Sequence, residues 1–166
     1  MAQASASIDL PVSADIVWQL IGGFNSLPDW LPYIPKSETT EGGRVRHLAN
    51  PNGETIVERL EKFDNAARSY SYSIIQASFP ITDYLATISV HQKAGESGCL
   101  VEWSGTFITK GVSDSEASKL FQGIFELKST FDAEAKSSHH LGRIAFFRKL
   151  KTACSLNVDH RTLFAN

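Results

Sequence analysis

The chain has 166 residues, of which 42% are hydrophobic and 20% are charged, and its formal net charge is −2. This composition predicts one soluble globular domain with its own core, and the slight negative charge argues against nucleic-acid binding. No stretch approaches the ~20 consecutive apolar residues that span a bilayer. The N-terminus lacks a basic segment followed by an apolar run, so we expect no secretory signal. Two widely separated cysteines, Cys99 and Cys154, favour a reduced, cytoplasmic protein.

The N-terminal part of the chain predicts one strand followed by two short helices. Ser5 to Leu10 alternates as a strand does, and a proline ends it. Apolar spacing after Ser13 predicts a helix that the Gly22-Gly23 pair ends. The segment from Ser26 to Pro32 predicts one further helical turn. Two short helices separated by glycines need another surface to pack on, and we expect that surface to be a sheet.

The middle of the chain predicts six more strands. Gly, Pro, Asn and Asp residues separate the segments as turns, and connections this short favour hairpins and an antiparallel sheet. In one strand, tyrosines and serines occupy opposite faces. The last strand carries apolar residues on both faces, so its inner side stays open. The six segments are Tyr33–Thr40, Arg44–Leu48, Thr55–Phe63, Arg68–Ile75, Thr82–Lys93 and Leu100–Ile108.

A long helix is predicted from Ser113 to Ala135. Ser113 and Glu116 have the spacing of a capping box, and large apolar residues then recur at helical spacing. Because no other element could cover a sheet of seven strands, the fold class is α+β. We expect a curved antiparallel sheet wrapped round this helix, with a cavity between them.

Two parts of this helix are expected to differ in role. The C-terminal half, with Phe125 and Phe131, should pack as core. The part from Leu120 to Ile124 should form the wall or lid of the cavity. A glycine in a helix destabilises it by about 1 kcal/mol relative to alanine, and close approach by a neighbour or ligand would explain Gly123.

Charged residues within predicted strands are the candidates for chemistry. Glu58 shares a face with apolar residues of its strand, and a buried carboxylate must be paired or hydrated. Arg46, in the preceding strand, is its expected partner, and Tyr84 and Lys36 are the other polar groups that alternation turns inward. The residues leave two alternatives open: an inward pair in a cavity, or an exposed cross-strand pair worth under about 1 kcal/mol.

The sequence offers no motif for metal or phosphate chemistry. No histidines have useful spacing with a carboxylate or thiol, so we expect no metal site. The Gly22-Gly23 pair follows a helix, unlike a phosphate loop, and the Trp103-Ser104-Gly105 segment is no serine elbow. We expect neither a cofactor nor a covalent nucleophile.

The order of short motifs resembles the START-like helix-grip superfamily SRPBCC, and within it the polyketide cyclase/dehydrase-type group. The resemblance covers roughly residues 5–135 and implies a helix-grip fold with a START-like ligand-binding domain over 1–136, followed by a tail over 137–166. Members of the superfamily include carriers, hormone receptors, cyclases and isomerases. The matching segments are Pro11–Trp18, Gly23–Pro32, Glu58–Leu60, Tyr70–Tyr72, Asp83–Thr87 and Val101–Ser104.

The resemblance also implies a polar site. Lys36, Glu58 and Tyr84 fall where plant abscisic-acid receptors, which the chain resembles, place polar ligand contacts. The gating loop and latch motif of those receptors are replaced here, which disfavours a hormone-receptor role. Arg46, Glu58 and Tyr84 match the proposed catalytic Arg, Glu and Tyr of lachrymatory-factor synthase, which is similar at these positions.

Two functions follow as expectations. The first is binding of a small hydrophobic ligand between the sheet and the long helix, as in lipid transport. The alternative is an enzyme (isomerase, dehydratase or cyclase) that uses Glu58 as general base, Tyr84 as proton donor, and Arg46 or Lys36 to stabilise an oxyanion. The remaining residues expected to contact the ligand are Tyr72, Ile74, Phe79, Ile81, Ala86, Ser104, Leu120 and Ile124.

Two further features stay open. A protein-interaction module would need an exposed apolar patch, which solvent-exposed Trp18 or Trp103 would indicate. The tail lacks acidic residues from Ser138 to Val158 and combines basic with apolar ones. This pattern suits either membrane or partner contact or a docked extension, and we favour the extension. The ligand's identity and the oligomeric state are not predicted.

Overall fold

The computed structural model describes residues 1–31, 34–49 and 53–126 of the chain. The predicted continuation of the last helix to Ala135 and the tail over 137–166 lie outside the described residues. A short 3-10 turn at Glu41–Gly43 joins the second and third strands. The elements are β1 (Ala2–Leu10), α1 (Ala14–Ile21), α2 (Leu27–Trp30), β2 (Lys36–Thr40), β3 (Val45–Ala49), β4 (Thr55–Asp64), β5 (Ser69–Gln76), β6 (Ile81–Gln92), β7 (Cys99–Thr109) and α3 (Asp114–Phe125).

Within the described residues, the seven strands form one antiparallel sheet in the order β1-β7-β6-β5-β4-β3-β2. Strands β2 to β7 are each adjacent to the next along the chain, because short turns allow neighbouring antiparallel strands to pair directly. The order leaves β1 and β2 at the two edges. The predicted α+β helix-grip fold is confirmed, although β1 begins at Ala2 and not at Ser5.

The capping box predicted for α3 is present. The Ser113 hydroxyl accepts a hydrogen bond from the Glu116 N–H at 3.2 Å, and Glu116 Oε2 accepts one from the Ser113 N–H at 3.0 Å. These two bonds satisfy donors that the first turn of a helix otherwise leaves unpaired. The cap therefore fixes where α3 begins.

The buried side of α3 packs on the sheet through aromatic rings. The Phe121 ring centroid lies 4.7 Å from that of Phe107, and the Phe125 centroid lies 4.8 Å from that of Trp103. The expectation that a close neighbour explains Gly123 is wrong. A Cβ at Gly123 would meet no atom within 4 Å, because this position faces away from the sheet.

The inner side of β7, which the sequence left open, is the side that carries Trp103. The inward positions alternate with exposed ones, as the pleat of a strand requires. Gly105 is one of the inward residues, and a Cβ there would lie 3.2 Å from Phe125 Cζ of α3. The buried set is Cys99, Val101, Trp103, Gly105 and Phe107.

Two observations concern the surface. Trp18 and Trp103 are 8% and 5% exposed, so neither supplies the exposed apolar patch that a protein-interaction module would need. Among the described residues, no helix combines the length and the apolarity needed to cross a membrane.

Candidate functional site

Glu58 and Arg46 form a buried ion pair at the inner face of the sheet. The two residues lie directly opposite each other in the β3–β4 register, and Arg46 Nε donates to Glu58 Oε2 at 2.6 Å. Their side chains are 8% and 0% exposed. The alternative of an exposed cross-strand pair is therefore wrong. Charges so deeply buried are tolerated only when they are paired and hydrogen-bonded.

Arg46 is held in place by Phe24, in the loop that follows α1, and by Tyr72 of β5. Its Nη1 donates to the backbone carbonyl of Phe24. The guanidinium carbon also lies 4.2 Å from the centroid of the Phe24 ring and 4.8 Å from that of Tyr72. A cation over aromatic faces gains about 2 kcal/mol or more when it is desolvated. The loop that begins at Gly22-Gly23 thus closes over the cation and fixes its position.

Two buried polar atoms beside this pair have no hydrogen-bond partner among the described residues. They are Arg46 Nη2 and the Tyr70 hydroxyl. Burial raises the pKa of Tyr70, and the nearby Arg46 charge partly opposes that rise. The two groups are therefore neighbours without a hydrogen bond of normal geometry. A buried unpaired polar group destabilises the fold by about 1–3 kcal/mol, so this spot suits an ordered water.

Three aromatic side chains with polar atoms lie around the same cavity as Glu58. Trp103 Nε1 donates to the Tyr72 hydroxyl at 3.0 Å. An indole N–H is a donor only, so the Tyr72 oxygen accepts and its proton remains available. Burial raises the pKa of Tyr84, and the neighbouring Tyr72 hydroxyl partly opposes that rise. Tyr84 therefore keeps its own proton and can donate it to a further acceptor.

The pKa of Glu58 reflects two opposing effects. Burial raises the pKa of this carboxyl above its usual value of 4.5, and the charge and hydrogen bond of Arg46 pull it back. Burial alone would lower the pKa of Arg46, but Glu58 and the nearby tyrosines outweigh it and raise that pKa. Arg46 thus stays charged. A carboxyl with a raised pKa in a cavity is a recognised mark of acid–base sites.

Glu58 and Tyr84 face a cavity of about 50 Å³ between the sheet, α2 and α3. A cavity needs roughly 10–15 Å³ to hold one water, so this cavity has room for a few waters or a small ligand group. Pockets for drug-sized ligands are several times larger, roughly 300–1,000 Å³. The surrounding residues are Leu27, Leu31, Ile34, Arg46, Leu48, Ile56, Glu58, Tyr72, Ile74, Phe79, Tyr84, Trp103, Phe121 and Ile124.

The structure brings most of the sequence-predicted residues to this cavity. Those that surround it are Arg46, Glu58, Tyr72, Ile74, Phe79, Tyr84 and Ile124. Three others do not line the cavity: Ala86 is buried in the core, Ile81 packs partly buried against the core, and Leu120 is partly buried. The expectation that these three line the cavity is not met.

The inward placement expected for Lys36 and Ser104 is wrong. Lys36 Nζ pairs with Glu38 at 2.9 Å, and the lysine side chain is 62% exposed. Its strand, β2, is an edge strand whose residues are mostly exposed. Ser104 is exposed on the outer face of β7, because the neighbouring Trp103 takes the inner face.

Several residues that line the cavity are not predicted by the sequence patterns. Trp103 is the most informative of them, since it contacts both Phe125 and the Tyr72 hydroxyl. Its signal was present: the residues at alternate positions from Val101 to Phe107 are apolar or glycine, and those between them are polar. Leu27, Leu31 and Ile34 come from and around α2, and a helix of one turn carries no periodicity that could orient them.

Across the described ranges, no group of three or more His, Cys, Asp or Glu side chains is positioned to hold a metal ion. The side chains around the cavity supply one carboxylate, the tyrosine hydroxyls and the Arg46 counterion of the carboxylate. Such a set can bind an oxygenated molecule or move a proton.

The solved structures to which this chain is similar include two proteins from Bacillus species. The protein XoxI from Bacillus cereus is 50% identical, with 93% of this chain and 96% of that chain covered and a TM-score of 0.75. An uncharacterized protein from Bacillus thuringiensis is 49% identical, with 93% and 99% covered and a TM-score of 0.72. Norcoclaurine synthase from Thalictrum flavum shares the fold at 19% identity, with 94% of each chain covered and a TM-score of 0.56.

A search of curated proteins gives no match. A family model described as "Polyketide cyclase / dehydrase and lipid transport" matches residues 1–130, which is most of the chain. This match includes every strand and helix described above. The chain therefore belongs to the polyketide cyclase/dehydrase and lipid transport family, within the SRPBCC superfamily.

Proposed function

We propose that this protein binds a small, mostly apolar molecule whose oxygen-bearing end meets Glu58 and Tyr84. The observation that carries the proposal is the cavity itself: its walls are apolar and aromatic, and its charged residues form one buried pair. Ligand sites combine an apolar wall with a few convergent polar groups in this way. The family description, which includes both cyclases and lipid transport, supports ligand binding of this kind.

The size of the cavity restricts the ligand or requires its walls to move. Phe79, Ile74 and Ile124 are only partly buried, so they form its most solvent-accessible side. Phe79 contacts Phe121 edge-on, with 5.3 Å between the ring centroids. A ligand larger than a few atoms would have to displace the Phe79 ring. Loss of that aromatic contact costs about 1 kcal/mol, which a bound apolar group of moderate size can offset.

A pair of adjacent residues on β5 gives a matched test. Ile74 lines the cavity, whereas Ile75 is 51% exposed on the sheet. Native mass spectrometry of the purified protein should detect a co-purified small molecule. Ile74→Trp should fill the cavity and remove that molecule, and Ile75→Trp should retain it. Retention in both variants, or in neither, would contradict the proposal that the ligand occupies this cavity.

A second function, proton transfer on the bound molecule, is favoured by one observation. Glu58 uses Oε2 to bind Arg46, and its Oε1 accepts no hydrogen bond among the described residues. Its raised pKa suits a group that takes up and returns a proton. Glu58 would then act as base, and Tyr84 would donate to the substrate oxygen. Isomerisation, dehydration and aldol-type cyclisation are reactions of this type.

The two functions are separated by Glu58→Gln. In an enzyme, this variant should keep part of its ligand affinity and lose turnover of a candidate substrate by about 10²-fold or more. In a carrier, no turnover exists and only the affinity falls. A Glu58→Gln variant that turns over substrate at the wild-type rate would exclude Glu58 as the base.

A further inference from the structure

The charges at the cavity floor neutralise each other. Arg46 has no exposed surface, and its unpartnered Nη2 is equally inaccessible. Glu58 is 8% exposed and is thus the charged group that a ligand can touch. Lys36 lies outside and pairs with Glu38. Arg46 borders the cavity, but its side chain has no exposed surface, so a carboxylate ligand would meet the Glu58 carboxylate first.

The direction of the hydrogen bonds adds a second constraint. Because Trp103 can only donate to Tyr72, the Tyr72 oxygen accepts that bond and its own proton remains available. Tyr84 also lines the cavity and has a hydroxyl proton to donate. Glu58 Oε1, by contrast, is an acceptor. The cavity therefore offers tyrosine hydroxyls as hydrogen-bond donors and one carboxylate oxygen as acceptor to the polar end of a ligand.

We infer that the polar end of the ligand is a neutral group with both a donor and an acceptor, such as a primary amide, an enol or a hydroxy-carbonyl, and not a carboxylate. This inference rests on the proposed binding function and narrows its ligand class. The acceptor of the ligand receives the Tyr84 proton, and its donor bonds to Glu58 Oε1. Arg46 acts as a positioning residue that holds Glu58 in place from behind.

Three small probes of nearly equal shape test this selectivity. Isobutyramide is neutral with a donor and an acceptor, isobutyrate is an anion, and 3-methylbutan-2-one has only an acceptor. Binding is followed through the indole N–H signal of Trp103, a wall residue, in ¹H–¹⁵N NMR titrations. Isobutyramide should bind about tenfold more tightly than isobutyrate, because like charges in a desolvated site repel strongly. The ketone should be intermediate.

Two variants assign the preference to its residues. Glu58→Gln leaves Arg46 without a counterion, so isobutyrate should gain affinity relative to isobutyramide. Tyr84→Phe keeps both charges and the ring contacts with Phe107 and Phe121, and should therefore keep the fold. It should weaken the amide and the ketone about fivefold. This second variant remains informative if Glu58→Gln does not fold.

The outcomes separate this inference from the proposed function. If isobutyrate binds the wild type as tightly as isobutyramide, the neutral-ligand inference is overturned while binding in the cavity stands. If Tyr84→Phe leaves the amide and ketone affinities unchanged, the assignment of Tyr84 as donor is overturned. If none of the probes shifts the Trp103 signal, the proposed binding function fails and this inference fails with it.

Discussion

Removal of either partner of the Arg46–Glu58 pair should strongly destabilise the protein. Arg46→Met keeps much of the side-chain volume between Phe24 and Tyr72 but leaves the carboxylate uncompensated. Both side chains are nearly inaccessible, and their contact of 2.6 Å is a charged hydrogen bond. Breaking a buried pair of this kind costs about 3–5 kcal/mol. Because whole domains are stable by only about 5–15 kcal/mol, this is a large fraction of the total.

A pair of the same residue types on the neighbouring surface supplies the control. Arg59 of β4 bonds to Glu41 at 3.2 Å, and these side chains are 40% and 56% exposed. Arg59→Met should therefore cost under about 1 kcal/mol. Urea unfolding followed by circular dichroism gives the free energy of unfolding for each variant. If Arg46→Met costs no more than Arg59→Met, the pair contributes little and the burial argument is refuted.

Three other predictions concern pH and packing. Burial raises the pKa of Glu58 in the folded state above 4.5, so the folded protein binds a proton at Glu58 more tightly than the unfolded chain does. The stability that this proton contributes is present at pH values below the pKa of the unfolded chain, and it is lost as the pH rises through the pKa of the folded state. The urea midpoint of the wild type should therefore fall, relative to that of Glu58→Gln, as pH increases. A Cβ at Gly123 would meet open space, so Gly123→Ala should stabilise the helix by about 0.5–1 kcal/mol. Gly105→Ala should destabilise the protein, because its Cβ would crowd Phe125. Thermal unfolding of the two variants compares these effects. Tyr72→Phe leaves the Trp103 N–H without an acceptor, and this should lower the free energy of unfolding by about 1–3 kcal/mol. Urea unfolding measures this loss. A variant as stable as the wild type would mean that a water replaces the hydroxyl.

The order of strands and helices could be predicted because the sequence patterns are local. Alternation identified the strands, Gly and Pro residues marked the turns, and Ser113 with Glu116 marked the start of α3. The pairing of Arg46 with Glu58 could also be predicted, because the two residues lie on consecutive strands of one predicted hairpin. Whether that pair was buried did not follow, because burial depends on the loop at Phe24 and on α3, which lie far away in the chain.

The incorrect predictions for Lys36, Ser104 and Gly123 share a physical cause. The residue pattern of one strand or helix does not show which other elements cover it. Lys36 has the alternation of an inward residue, but β2 is an edge strand and most of its residues face solvent. Ser104 was assigned to the wrong face because large apolar residues lie on both sides of β7. Gly123 was read as a close contact, although its position on α3 faces open space.

The Arg46–Glu58 pair is better explained by the site than by stability. Apolar side chains of similar volume often stabilise a core as well as a buried ion pair does, or better. The double variant Arg46→Met with Glu58→Leu should therefore lie within about 1 kcal/mol of the wild-type free energy of unfolding, well below the sum of the single losses. It should also lose the preference for isobutyramide over isobutyrate. A double variant as unstable as that sum would instead mean that the pair is held for the fold, through bonds such as that from Arg46 to the Phe24 carbonyl.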